Sequence, residues 1–189
     1  MDEVDRKIIS QLQQDGRTTF EDLGKIIGFT SMGVKKRVDR LLKEDVIKVS
    51  ALLNLKSLNL CAAIVLLEME NADAMQRLLE RFKDCPRVVH TFTTLGGYNL
   101  IALVVAENQQ TLESISMEKC SLRSSEGIRR SEFYPIRDIG YSPFMPVRRH
   151  LARKNLSAPP CNVDCKPCAR YESEECVGCP ATEYYRGPL

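Results

Sequence analysis

The stretch from residue 60 to residue 136 alternates between strand and helix patterns, and this order limits the fold more than any other feature. Apolar runs predict strands at "LCAAIVLLEM", "RVVHTFTTL", "YNLIALVVA" and "GIRRSEFYPI", while helical spacing of apolar residues marks "ADAMQRLLERFK" and "NQQTLESISMEKCSL". The order βαββαβ predicts an α+β ferredoxin-like sandwich, in which one antiparallel sheet carries its helices on one face. The uncovered face of such a sheet can pack against a second copy of the chain, so we expect a homodimer or a larger homo-oligomer.

The first fifty residues have a different pattern, that of three short helices. Apolar residues recur at helical spacing at Ile8, Ile9 and Leu12, then in a short second helix around Phe20–Ile27, and again from Val34 to Leu42. We expect Leu23, Ile26 and Ile27 to face inward on the second helix, which Gly28 ends, and Thr30 or Ser31 to cap the third. Strand character then begins at Val46 in "VIKVSALLNL". Helix, helix, turn, helix and strand predict a winged helix-turn-helix over residues 1–50.

The third helix is strongly basic, which suits contact with DNA. Its apolar stripe is Val34, Val38, Leu41 and Leu42, and cations occupy most of the remaining surface. In a helix-turn-helix this helix enters the major groove of double-stranded DNA, where cations contact phosphates and the N-terminal side chains reach base edges. A solvated basic surface is the plain alternative. The candidate DNA-binding residues are Ser31, Met32, Lys35, Lys36, Arg37 and Arg40.

These segments resemble the Lrp/AsnC family of transcription regulators. The resemblance lies in "MDEVDRKII", "DGR" and "DLGKIIGFTSMGVKKRVDRLLKEDVI", with Gly24 where alanine is usual and Asp45 where glycine is usual. Gly24 is expected to loosen the second helix, whereas aspartate tolerates a left-handed backbone. The resemblance covers residues 1 to about 140 and implies a DNA-binding regulator. It also implies that residues 51–140 form an effector-binding and oligomerisation domain.

The hairpin turn in "TTLGGYNL" is the candidate effector position. In the family that this chain resembles, the turn lies near the place where small effectors bind at subunit junctions. Glycines let a ligand approach the backbone closely, although a tight hairpin alone also explains them. The candidate effector-binding residues are Gly96, Gly97 and Tyr98.

An enzyme is the alternative class of function, and His90 is the residue that raises it. The stretch "VVHTFTTLGGYNL" is similar to one in siroheme decarboxylase, an enzyme of related architecture that acts on a tetrapyrrole. A histidine at the dimer face is the plain reading. The sequence shows no paired carboxylates, nucleophile elbow or phosphate-binding glycine loop. We therefore expect a regulator, because an enzyme has no use for the exposed cations of the third helix.

The end of the chain is rich in cysteine. Residues 141–160 contain four prolines and the basic run "RRHLARK", and predict a linker. Residues 161–189 then hold five of the eight cysteines, spaced C-x3-C-x2-C-x7-C-x2-C. Two Cys-x2-Cys pairs suit a metal centre, and so small a segment needs metal to supply its folding free energy. The predicted ligands are Cys165, Cys168, Cys176 and Cys179, with Cys161 as the fifth and spare cysteine.

The spacing favours a [4Fe-4S] cluster, with Zn²⁺ as the alternative cofactor. Zinc ribbons separate their cysteine pairs by more residues, whereas closely spaced cysteines ending in Cys-Pro suit a cubane cluster. The stretch "ECVGCPATEYYRG" is similar to the SPASM-type tails of radical SAM enzymes, which bind auxiliary [4Fe-4S] clusters, although Pro180 replaces the usual arginine. A cluster predicts redox or iron sensing. A purely structural metal site is the alternative.

Net charge and hydropathy place few further limits on the function. The formal net charge of +2 neither requires nor excludes a nucleic-acid partner. No apolar run is long enough to cross a bilayer, and the N-terminus is acidic and polar rather than that of a signal peptide. We therefore expect a cytoplasmic protein without membrane association.

Overall fold

The computed structural model describes all 189 residues, which form two compact units, Met1–Ala51 and Leu52–Leu189. The residues predicted to form a linker and a separate tail thus belong to the second unit. None of the helices combines the length and the apolar character needed to cross a membrane.

Three helices build the first unit: α1 (Glu3–Gln14), α2 (Phe20–Ile27) and α3 (Ser31–Lys43). Each begins at a polar N-cap whose side chain accepts a backbone N–H bond, because the first N–H groups of a helix have no partner within it. The caps are Asp2, Thr19 and Thr30. Helix α2 ends at Gly28 in the left-handed conformation. The helices enclose a core of Ile8, Leu23, Val34 and Val38.

Three expectations for this unit were wrong. No strand begins at Val46, because residues 46–52 have no regular structure and the first strand is β1 (Leu53–Asn54) in the second unit. A strand needs a partner for its backbone groups, and β1 finds one in β6 (Phe144–Met145). Ile26 and Leu42 are exposed rather than inward-facing.

The second unit contains the ferredoxin-like sandwich that the residue pattern predicted. Its four-stranded antiparallel sheet has the order β3-β4-β2-β5, and two helices follow β2 and β4. The elements are β2 (Cys61–Met69), α4 (Ala72–Phe82), β3 (Val88–Thr93), β4 (Leu100–Ala106), α5 (Gln109–Met117) and β5 (Ile128–Pro135). Helix α5 ends earlier than predicted and is followed by a single 3-10 turn at Leu122–Ser124.

Alternate residues of the strands bury one face of the sheet under the helices. In the pair β2–β4, Ala63 stands opposite Val104 and Val65 opposite Ala102, and all four are buried. Leu78 and Phe82 of α4 and Leu112 of α5 pack on them. This layer is the main core of the unit, and the cysteine-rich tail joins it through Cys161.

The opposite face of the sheet is covered in part by the chain itself, which the sequence did not predict. Ala62, Leu103 and Val105 form a second buried cluster with residues from the predicted linker and from the C-terminus. Those covering residues are Val147, Ala152, Tyr185 and Leu189. The remainder of this face stays open, and Phe92 and Tyr134 are about half exposed there.

Candidate functional site

The N-terminal half of α3 presents the side chains that we expected to reach DNA. Ser31, Met32, Lys35 and Lys36 are all exposed, and Met32 is 74% exposed. Val34 and Val38 anchor the opposite side of the helix in the core. The helix therefore offers one polar, doubly cationic surface at its N-terminal end, where base edges and phosphates would be met.

Arg37 and Arg40 form ion pairs with the start of α1. The Arg37 guanidinium donates to Asp2 at 2.7 Å and to Asp5 at 2.9 Å, and Arg40 donates to Asp5 at 2.6 Å. The Asp5 side chain is only 1% exposed, so this pair of arginines neutralises a buried carboxylate. Both arginines therefore tie α3 to the start of α1.

The ion pairs also set the pKa values of the two aspartates. The hydrogen bond from Arg37 lowers the pKa of Asp2 to about 2. Burial alone would raise the pKa of Asp5, but the hydrogen bonds from the Asp2 backbone and from Arg37 outweigh it and lower that pKa. Both carboxylates stay charged through the neutral pH range as a result.

The turn that leads to α3 leaves no room for a side chain at position 24, which explains the glycine there. A Cβ on Gly24 would lie 2.5 Å from the carbonyl oxygen of Phe29, closer than real side chains approach a backbone atom. The Phe29 amide also donates to the Gly24 carbonyl at 2.9 Å. The turn therefore packs directly against the α2 backbone at this position.

The hairpin turn of the candidate effector site is open at Gly96 and Gly97, which are exposed between β3 and β4. Tyr98 instead turns towards β5, where its hydroxyl donates to Glu132 and its ring lies 4.4 Å beneath the Arg130 guanidinium. The Tyr134 hydroxyl donates to the same carboxylate, and these hydrogen bonds lower the pKa of Glu132. Sequence reasoning missed Arg130 and Glu132, which lie far from the turn in the chain.

His90 lies exposed on β3, 5.8 Å from the ring of Phe92 and beside Thr91. No carboxylate hydrogen-bonds to it. The residue therefore has surroundings typical of a surface histidine.

A cavity of about 50 Å³ lies beneath the cysteine-rich tail, on the helix-covered side of the sheet. Its walls include Val65 and Val104 of the sheet, Phe82 of α4 and Ile115 of α5. Six cysteines line it: Cys161, Cys165, Cys176 and Cys179 from the tail, and Cys85 and Cys120 from the ferredoxin-like domain. These six are the cavity cysteines.

The remaining two cysteines lie outside this cavity. Cys168, one of the four predicted ligands, lines a neighbouring cleft that it shares with Cys120, Cys165 and Cys176. Cys61 lies on β2 and lines neither space. All eight cysteines are free thiols, and no three His, Cys, Asp or Glu side chains form a group that could hold a metal ion.

Burial raises the pKa of four of the cavity cysteines. Desolvation raises the pKa of Cys165 to about 11 and that of Cys179 to about 12, and it also raises the pKa values of Cys85 and Cys120. These four thiols are therefore neutral at physiological pH by themselves. Metal binding would have to displace their protons, since thiolates are the ligand form.

A buried ion pair fastens the tail beside the cavity. Arg87 donates to Glu107 at 2.7 Å and to the Gly178 carbonyl of the tail at 2.6 Å. The Tyr185 hydroxyl donates to the other oxygen of Glu107. Gly178 has φ +82°, and a Cβ there would lie 2.9 Å from the Tyr171 ring, so the tail backbone comes close at a position that only glycine suits.

Three further arginines bind the same region to backbone oxygens. Arg148 of the predicted linker donates to the carbonyls of Val88 at 2.7 Å and Cys85 at 2.6 Å. Arg81 of α4 donates to the Cys161 carbonyl at 3.3 Å. Arg170 of α6 (Ala169–Glu172) donates to the Gln110 carbonyl of α5 at 3.1 Å and also to the Ser114 hydroxyl at 2.6 Å. The tail thus packs against the domain and is not a free appendage.

Comparison with known proteins agrees with the two folds. The AsnC-type helix-turn-helix domain matches residues 1–42, and the Lrp/AsnC ligand binding domain matches residues 62–136. An uncharacterized HTH-type transcriptional regulator of Pyrococcus abyssi is 31% identical over 134 residues, which cover 70% of this chain and 83% of the relative. The chain belongs to the Lrp/AsnC family of transcription regulators.

Other matches agree with this Lrp/AsnC assignment. An HTH-type transcriptional regulator of Mycobacterium tuberculosis is 30% identical over 70% of this chain and 88% of its own length. The solved structure of AsnC from E. coli has the same fold, with a TM-score of 0.65 and 18% identity, over 75% of this chain and 95% of that one. Both matched family domains end before the tail, so the chemistry of the cavity rests on this chain's own residues.

Proposed function

We propose that this Lrp/AsnC regulator binds specific double-stranded DNA sequences through α3, and that a [4Fe-4S] cluster in the cysteine cavity makes its DNA binding responsive to redox state or iron supply. The observation that carries the second half is the convergence of six cysteines on one cavity. The first half follows from the family and from the exposed N-terminal surface of α3.

The donor set supports a cluster better than a single zinc ion. Zinc holds four ligands about 2.3 Å away, so its thiolates crowd around one point. No group of three or more potential ligands here could hold such an ion, whereas the cavity cysteines surround a space. A four-iron cubane takes four cysteine thiolates around a larger body. Its bound form would supply a centre that oxygen or oxidants can alter.

The tail would transmit the state of that centre through its packing. Cys161 belongs to the main core of the second unit, and Cys176 and Cys179 flank the segment whose Gly178 carbonyl binds Arg87. A change at the cavity cysteines therefore alters contacts inside the domain that the family uses for ligand response. A metal centre that merely stabilises the domain is the rival explanation.

The decisive experiment combines metal analysis with DNA binding. Protein purified without oxygen should contain about four irons and four acid-labile sulfides per chain. Duplexes selected from a randomised library by this protein should then bind with different affinities before and after air oxidation, while gel filtration shows the same oligomer. Iron and sulfide with equal DNA affinity in both states would favour the structural role and contradict sensing. One zinc per chain without sulfide would contradict the cluster itself.

Recognition through α3 has its own test. Lys35→Ala and Lys36→Ala should each weaken binding to the selected duplex and reduce the slope of log K against log [salt] by about 1, because each removes one phosphate contact. Lys119→Ala, which removes an exposed cation from the second unit, should leave both quantities unchanged. An equal loss in all three variants would argue against α3 as the DNA-binding surface.

The oligomer and the effector complete the proposal. We propose that a homodimer forms through the open part of the sheet, where Phe92 and Tyr134 are exposed opposite Ile101 and Ile64 on neighbouring strands. The turn at Gly96, Gly97 and Tyr98 stays the predicted effector position, and the adjoining Arg130 and Glu132 would suit a ligand that carries both charges, such as an amino acid. Sedimentation of Phe92→Glu, which places a charge in that face, tests the dimer.

A further inference from the structure

The cavity brings together cysteines that the sequence keeps far apart. Cys85 lies in the turn between α4 and β3, where its amide donates to the Phe82 carbonyl at 3.0 Å. Cys120 follows α5, just before the 3-10 turn. Neither belongs to the tail or to a Cys-x2-Cys pair, and yet both line the cavity with four tail cysteines.

The surroundings of Cys85 and Cys120 favour a role as metal ligands over a role in packing alone. A small cysteine commonly fills apolar space, and Val65, Val88 and Leu122 do line this cavity. Six such side chains on one cavity, from three separate parts of the chain, are more than packing requires. None of the six forms a disulfide.

Cys168 offers the contrast. The C-x2-C spacing predicts that it is a ligand, but Cys168 lines the neighbouring cleft and not the cavity. The cavity therefore holds only one member of the first Cys-x2-Cys pair, Cys165, together with both members of the second. A tail-only set of four would need Cys161 as well.

We infer that Cys85 and Cys120 are ligands of the cluster, which thereby lies between the tail and the ferredoxin-like domain with the remaining thiolates coming from the tail. This inference rests on the proposed cluster and names the residues that hold it. A site of this composition cross-links the tail to the domain in addition to the hydrogen bonds of Arg87. Cluster binding and tail docking would then be one linked equilibrium.

Single cysteine replacements in the full-length protein test the inference. Cys85→Ser and Cys120→Ser are each compared with Cys61→Ser, which changes a partly buried thiol of the same unit that does not line the cavity. Iron, acid-labile sulfide and zinc per chain are measured after anaerobic purification, together with visible absorption. Circular dichroism and gel filtration establish that each variant is folded, and the alanine variants replace any serine variant that is not.

The expected result is loss of at least half of the iron and sulfide in Cys85→Ser and in Cys120→Ser, with wild-type content in Cys61→Ser. Trypsin should also cleave the tail several times faster in the two affected variants. Wild-type iron content in either folded variant would overturn the assignment of that cysteine while leaving the proposed cluster intact. A wild-type protein without iron and sulfide would overturn the cluster as well, so the two failures are distinguishable.

Discussion

The stability of the second unit should be especially sensitive to substitution of the Arg87–Glu107 ion pair, which holds the tail in place. Arg87→Met removes the guanidinium but keeps a long apolar side chain. The change leaves the Glu107 carboxylate with only the Tyr185 hydroxyl, and it leaves the Gly178 carbonyl without its 2.6 Å donor. We expect the variant to lose stability and to release the tail.

The magnitude follows from burial. The Arg87 and Glu107 side chains are 8% and 1% exposed, so solvent screens the pair very little. Removing one partner of a buried pair costs about 3–5 kcal/mol, because the other charge stays buried without compensation. Typical domains are stable by only about 5–15 kcal/mol. The substitution should therefore remove a large share of the stability of this unit.

The matched control is Lys56→Met. Lys56 pairs with Asp138 at 2.7 Å, but both side chains are more than half exposed. Such a surface pair contributes about 0–1 kcal/mol, so the variant should unfold close to the wild type. Because Arg87→Met and Lys56→Met each remove one cation, comparing them separates the effect of burial from the effect of losing a cation.

Urea unfolding followed by far-UV circular dichroism measures both variants, and trypsin cleavage of the tail reports local release. The double variant Arg87→Met with Glu107→Leu should be more stable than Arg87→Met alone, since it removes the buried charge as well. The reasoning would be refuted if Arg87→Met cost no more than Lys56→Met, or if the double variant lost the full sum of the two single effects.

Two further predictions concern the helix-turn-helix unit. Gly24→Ala should destabilise it by about 1–3 kcal/mol despite the better helix propensity of alanine, because the new Cβ meets the Phe29 carbonyl. Gly16→Ala, whose Cβ would meet nothing closer than 3.7 Å, is the thermal-unfolding control, and equal melting temperatures for the two would contradict the clash. The pKa of Asp2 is lowered from 3.8 to about 2, so its stabilising effect is present above pH 4 and disappears as the pH falls towards 2. Arg37→Met should weaken this acid dependence in thermal melts, and an unchanged pH profile would count against the ion pair.

Local sequence pattern was sufficient for the three helices of the first unit and for the ferredoxin-like sandwich of the second, but not for the packing of residues 141–189. Helix caps such as Thr30 and the order of strands and helices in residues 60–136 depend on neighbours in the chain, so periodicity finds them. The strand predicted from Val46 failed for the opposite reason. A strand exists only where a partner completes its hydrogen bonds, and no local pattern shows where that partner lies.

The roles of the α3 arginines could be predicted from the sequence only in part. Counting cations on α3 made Arg37 and Arg40 candidate DNA contacts, but it did not reveal their ion pairs with Asp2 and Asp5. The helical phase contained a signal: Arg37 lies three residues after Val34 and four before Leu41, next to the buried stripe. Its distant acidic partners could not be derived from spacing. The same holds for Cys85 and Cys120, since topology alone brings them to the cavity.

The way in which the tail is attached determines what kind of switch the cavity can support. Arg87, Arg148 and Arg170 hold the tail region and its docking surface through hydrogen bonds that need no metal. Buried Tyr171 and Tyr185 add apolar contact. Loss of a cluster would therefore loosen the tail without detaching it, and the effect on DNA affinity would be graded. Combining cluster loss with Arg87→Met removes the metal centre and the buried ion pair at the same time, so the two changes together should affect DNA binding more than the sum of each alone. Strict additivity would mean that the cavity and the ion pair act independently.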